Sequence, residues 1–81
     1  MKISAELSLY PLDEHYGTPI LEFIRKLKSY PGLEIKSNSM STQIFGDYDL
    51  VSEILKNELK IALTTDKTVV AVLKIVNKDL R

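Results

Sequence analysis

Residues 2–10 alternate without a break: Ile3, Ala5, Leu7 and Leu9 fall on one side, and Ser4, Glu6, Ser8 and Tyr10 on the other. A period of two over nine residues is the signature of a β-strand with two unlike faces, one for a core and one for something wetter. In a chain of 81 residues such a strand needs partners from further along, so the rest of the sequence must supply both a sheet and a cover for its apolar side. Pro11 has no N–H to donate and is expected to stop the strand. Residues 11–17 then read as a loop.

Thr18 followed by Pro19 predicts a helix start, a hydroxyl cap with proline at the first helical position. Ile20, Phe23, Ile24 and Leu27 recur at helical spacing, with Arg25, Lys26 and Lys28 mostly on the other side as a solvated face. Pro31 and Gly32 end this helix. Residues 33–38 read as a second strand, with Leu33 and Ile35 inward. Residues 41–45 read as a third, closed by Gly46. Asp47 and Asp49 are N-cap candidates for a second helix, whose apolar stripe is Val51, Ile54, Leu55, Leu59 and Ala62. A valine-rich fourth strand covers residues 68–76, and residues 77–81 read as a polar tail.

The order β-α-β-β-α-β in one domain, residues 1–81, with right-handed crossovers, predicts an α+β ferredoxin-like sandwich. This is a four-stranded sheet with two helices on one face. The first and third strands are central and the second and fourth are edges. The other sheet face would display Ser4, Glu6, Ser8, Tyr10, Ser41, Gln43 and Phe45, beside Val70, Val72, Lys74 and Val76 of the last strand. So much contiguous apolar surface calls for a cover. A second copy packed sheet to sheet is the simplest one, and a ligand pocket inside that interface is the sharper reading. Glu6 can be exposed, paired with Lys74 across the sheet, or used on a ligand.

Several function classes are disfavoured. Eleven Lys and Arg balance eleven Asp and Glu, so the basic excess of a nucleic-acid binder is missing. The absence of cysteine removes disulfides, thiolate metal sites and a cysteine nucleophile. His15, the one histidine, lies in the first loop with only Asp13 and Glu14 near it in sequence, a poor metal set. No serine has a recognisable base and orienting group beside it, so an enzyme is not expected. The strand-like start leaves no room for a leader and no run is long enough to span a membrane, which makes the cytoplasm the expected location.

Two segments carry a resemblance: Ser8-Leu9-Tyr10-Pro11-Leu12 after the opening strand, and residues 38–47, Asn38-Ser39-Met40-Ser41-Thr42-Gln43-Ile44-Phe45-Gly46-Asp47, leading into a helix. At this spacing the chain resembles the thiamine-binding, YkoF-like family along its whole length. The resemblance implies a ferredoxin-like fold, sheet-to-sheet dimers that can pair into tetramers, and non-catalytic binding of thiamine or its hydroxymethylpyrimidine part. No cofactor is required. It points to Ser8, Tyr10, Ser41 and Thr42, with Glu6 at an acidic position of single-domain relatives. The strand period, by contrast, puts Thr42 on the helix side. Asn38, Ser8, Ser41 and Gln43 offer hydrogen bonds to an aminopyrimidine, and Tyr10 or Phe45 a stacking face. A thiazolium cation would suit an aromatic face or Glu6. With only Lys36 and Lys74 as bases on that face, unphosphorylated thiamine is expected over the diphosphate. The rival reading is a regulatory or assembly protein that recruits a protein partner through its sheet face. An RNA-binding sheet would need more aromatics and a basic surface.

Overall fold

The computed structural model describes residues 1–12 and 17–81, with side chains described for 1–12 and 20–81. Asp13, Glu14, His15 and Tyr16 therefore lie outside the described residues, as does the capping side chain expected of Thr18. The elements run β1 (Lys2–Pro11), α1 (Gly17–Lys28), β2 (Glu34–Ser37), β3 (Thr42–Asp47), α2 (Tyr48–Leu63) and β4 (Val69–Val76). They form one antiparallel sheet in the order β2-β3-β1-β4, with β1 and β3 central as the element order predicts.

The alternation of β1 survives intact. Ile3, Ala5 and Leu7 are buried, and against them pack Phe23 and Leu27 from α1, Ile44 from β3, and Val51, Ile54 and Leu55 from α2. Leu59 and Ala62 extend the α2 stripe at half-buried positions. Glu58 shares that stripe. It is nearly fully buried and accepts a hydrogen bond from the Tyr30 hydroxyl in the turn after α1. The carboxylate in turn holds the Tyr30 phenol above its ordinary titration range. Tyr30→Phe leaves that carboxylate without this donor, so its urea midpoint is expected to fall while the m-value stays constant.

Strands β2, β3 and β4 begin one residue later than the sequence reading and β2 ends one earlier, and three further boundaries differ for a physical reason. Pro11 does not stop β1: it pairs with Val69, and the next N–H, of Leu12, donates to the Thr68 carbonyl at 2.9 Å. Antiparallel pairs alternate between bonded and non-bonded positions. Pro11 occupies a non-bonded one, where its missing N–H costs no ladder bond. Helix α1 begins at Gly17, so Thr18 and Pro19 already lie in its first turn.

Gly46 does not close β3 either. It pairs with Ile3, is buried, and lets the strand run on to Asp47. A Cβ at Gly46 would lie 2.9 Å from Leu33 Cδ2, 3.2 Å from the Gly32 carbonyl oxygen and 3.2 Å from Val51 Cγ2. The glycine is there for close packing. Gly46→Ala is expected to cost about 1–3 kcal/mol by overpacking, read as a lower denaturant midpoint. Asp47 does occupy the α2 N-cap position, but its carboxylate makes no capping bond and instead accepts from the Met1 ammonium at 3.1 Å.

The edge strand β4 is more open than a core strand. Its helix-side residues Leu73 and Ile75 remain exposed beside α2. On the other face Val70, Val72 and Val76 are exposed as well.

Candidate functional site

Register assembles the open face. Glu6 stands opposite Gln43 on one side and Lys74 on the other, and Gln43 stands opposite Lys36. A single row, Lys36–Gln43–Glu6–Lys74, therefore crosses all four strands. The next row toward the start of β1 is Glu34–Phe45–Ser4–Val76. Beyond Glu6 in the opposite direction come Ser8 beside Val72 and Tyr10 beside Val70.

Glu6 is the hub of this face. One carboxylate oxygen meets Lys74 Nζ at 2.9 Å, and the other accepts from Ser41 Oγ at 3.0 Å. The hydrogen bond from Lys74 is the largest influence that keeps the Glu6 carboxyl below its usual range, followed by that from Ser41. Lys74 is raised in return, chiefly by the same bond. The depressed carboxyl contributes stability above its unfolded pKa and loses it as pH falls through the folded value. The raised ammonium contributes below its unfolded pKa and loses it as pH climbs through the folded value. The pair thus supports the fold across neutral pH and fades at both ends. Lys74→Met is expected to move the Glu6 midpoint upward in an NMR carboxylate titration, and Ser41→Ala to move it upward by less.

The eight residues singled out from sequence do not converge on one place. Glu6, Gln43 and Phe45 border a concavity of ≈ 340 Å³ on the open face, completed by Ser4, Lys74, Val76 and Leu80. That volume lies at the small end of ligand sites, roughly 300–1,000 Å³. Ser8, Asn38, Ser41 and Thr42 line a smaller one of ≈ 140 Å³, where the β2–β3 connection meets Phe23 and Ile24 of α1. Ser41 links the two through its bond to Glu6. Tyr10 borders neither and is 52 % exposed.

Local structure explains the division. The Asn38 side-chain oxygen accepts from the N–H groups of Met40 (2.8 Å) and Ser41 (3.0 Å), so that oxygen is used to close the turn into β3. Ser8 Oγ donates to the Met40 carbonyl at 3.3 Å. Thr42 is buried on the helix side, where the period of two put it. Lys36 Nζ lies 5.4 Å from the Phe45 ring centroid and 3.7 Å from Glu34. Sequence reasoning missed Leu80, and placed Ser4 on the open face without assigning it to the site. Their only signals were an apolar residue inside the polar segment after β4 and a serine facing it from β1.

Among the described residues no group of three or more His, Cys, Asp or Glu is placed to hold a metal, and no helix is long and apolar enough to cross a membrane. What the arrangement offers chemically is a fixed carboxylate and an amide at one small cleft; the stacking face expected of Phe45 is not open, because the ring is 4% exposed with Lys36 over it.

No protein-family model matches the chain, and no curated protein matches it. Solved structures do match. A hypothetical protein of Methanocaldococcus jannascii is 28% identical, with a TM-score of 0.79 over 99% of this chain and 84% of that one. A Streptococcus pneumoniae protein is 23% identical, with a TM-score of 0.79 over 99% and 90% of the two chains. A Thermotoga maritima protein, proposed to act in thiamine biosynthesis or salvage, is 20% identical, with a TM-score of 0.80 over 96% and 85%. These likenesses show the ferredoxin-like α+β fold.

Proposed function

We propose that this chain binds thiamine, or its hydroxymethylpyrimidine part, without chemical change and without a cofactor, in the sheet-face cleft around Glu6. The observation that carries the reading is the Glu6 hub: a central-strand carboxylate with Ser41, Gln43 and Lys74 around it and Phe45 on the same cleft. An exocyclic amino group can donate to Glu6 and a ring nitrogen can accept from the Gln43 amide. Ser41 spends its proton on holding Glu6, and Phe45, 4% exposed with Lys36 over its ring, gives the cleft only a small apolar border. The Thermotoga maritima likeness, together with the motif resemblance at residues 8–12 and 38–47, supports that choice of ligand over other amino-heterocycles.

The two lysines in the row of Glu6 already have partners, Lys74 in Glu6 and Lys36 in Glu34 and Phe45. A diphosphate would have to compete for them, so the unphosphorylated vitamin is the better fit. The exposed Val70, Val72, Val76 and Tyr10 beside the cleft suit a second copy laid sheet to sheet, making a homodimer or a pair of dimers that encloses the ligand in the cytoplasm.

A thermal-shift titration with thiamine, thiamine diphosphate and hydroxymethylpyrimidine, checked by calorimetry, tests this. Ligand at about a hundred times its dissociation constant adds roughly 2.7 kcal/mol, several degrees in a domain of this size. The expected order is thiamine or the pyrimidine above the diphosphate. Absence of any shift or heat would overturn the reading. It would favour instead a regulatory or assembly protein whose exposed valines receive another protein.

A further inference from the structure

The segment after β4 does not leave the fold. It turns back across the start of β1, where Ser4 Oγ donates to the Lys78 carbonyl at 2.7 Å and accepts from the Leu80 N–H at 2.8 Å. A hydroxyl has one proton to give and lone pairs to receive. Ser4 uses both functions on residues two apart, so one side chain fixes the path of the segment. Ser4 is only 6% exposed although it belongs to the sheet face that carries no helix. Asp79, between the two bonded residues, has its carboxylate against Arg81 Nε at 3.1 Å and points away to its own partner.

The consequence falls on Leu80. It is the one apolar side chain among Asn77, Lys78, Asp79, Leu80 and Arg81, and it is 56% exposed. It does not enter the core. It borders the Glu6 cleft together with Phe45 and Val76. A leucine held by its own backbone N–H at the border of a cleft with a charged floor leaves apolar surface that an occupant of the cleft would cover.

We propose that Leu80 is a ligand-contacting, specificity-determining residue of the sheet-face site, and that Ser4 is the positioning residue that holds it there; this rests on the binding reading above. Glu6, held by Ser41, and Gln43 recognise the amino and ring-nitrogen groups of the ligand. Leu80 and the exposed Val76 supply the apolar walls that favour a flat ring. A ligand with the same polar edge and no ring gains nothing from Leu80.

Calorimetry with two probes tests the assignment: hydroxymethylpyrimidine, and acetamide as a neutral ringless molecule with an amino donor beside an acceptor. The wild type is expected to prefer the pyrimidine. Leu80→Ala is expected to weaken pyrimidine binding roughly tenfold, since two methyl carbons and a methine of partly covered surface are lost, and to leave acetamide unchanged. Ser4→Ala is expected to lose the same preference. In ligand-free Ser4→Ala the Leu80 amide should also exchange its hydrogen fast, whereas in the wild type it is protected.

Each failure has its own signature. If the wild type binds the pyrimidine and Leu80→Ala binds it equally well, the assignment of Leu80 is wrong while the site stands. If the wild type binds neither probe, the binding reading fails and takes Leu80's role with it. If Leu80→Ala instead dissociates an oligomer in sedimentation, Leu80 is an interface residue and the proposal is overturned. A Leu80 amide that exchanges equally in wild type and Ser4→Ala removes Ser4 from its positioning role.

Discussion

Replacing Leu27 with alanine should lower the melting temperature by roughly 10–40 °C, from a cost of about 2–5 kcal/mol at about 4–8 °C per kcal/mol. Leu27 is fully buried on the sheet-facing side of α1, within the cluster of Ile3, Leu7, Ile44 and Val51. Truncation there removes transfer energy and leaves a cavity that a close-packed interior fills only in part. A domain of 81 residues holds about 4–12 kcal/mol in total, so the variant stands near the edge of folding. Leu21→Ala, on the exposed side of the same helix, is the matched control and should change stability by no more than about 0.5 kcal/mol. Circular dichroism melts of the two variants decide it. Similar losses at both sites would mean that α1 is not seated as described.

The second large effect concerns the ligand. Glu6→Leu removes the acceptor for the amino group and strands Lys74 on an apolar surface, so thiamine binding is expected to weaken at least about tenfold. The ligand-induced melting shift should disappear at concentrations that saturate the wild type. The fold should survive, because Glu6 points away from the core. Calorimetry beside an unliganded melt separates the two effects. A Glu6→Leu protein that folds normally and binds thiamine as tightly as the wild type would place the site elsewhere on the molecule.

The parts of this fold that could be read in the sequence are those whose cause is local. The period of two in β1 and the helical stripes of Phe23, Leu27, Val51, Ile54 and Leu55 need no distant residue to be visible, and all stand as expected. Pro11 and Gly46 misled for a shared reason. Each is a punctuation residue by default, yet what it does depends on the strand or helix beside it. Pro11 tolerates pairing because of where the β4 carbonyls fall, and Gly46 is required by the approach of Leu33 and Val51. Glu58 was overlooked on the α2 stripe because its partner Tyr30 lies 28 residues earlier.

The candidate site divides along the same line. Residue chemistry was legible: Glu6, Ser41, Gln43 and Phe45 were chosen for what they can donate, accept or stack upon. Their grouping was not, because it depends on the offset between β1 and β3, which no single segment states. That register places Gln43 beside Glu6, whereas the turning of Thr42 to the helix side follows from alternation alone and was legible. The segment after β4 was invisible as structure, since a run of Asn, Lys, Asp and Arg has the composition of solvated chain. One serine hydroxyl decides its course.

The strand order has a consequence for how the molecule is made. β1 emerges first from the ribosome and sits in the middle of the sheet, between β3 and β4. Its pairings reach from Ser4 to Val76, nearly the whole chain apart. Until that last strand is available, Ile3, Ala5 and Leu7 wait in a nascent chain with one flank unpaired. Contacts so distant in sequence slow folding. The final strand, not the first, therefore sets when this sheet becomes complete, and a pause in translation before Val69 would prolong the exposure of the apolar side of β1.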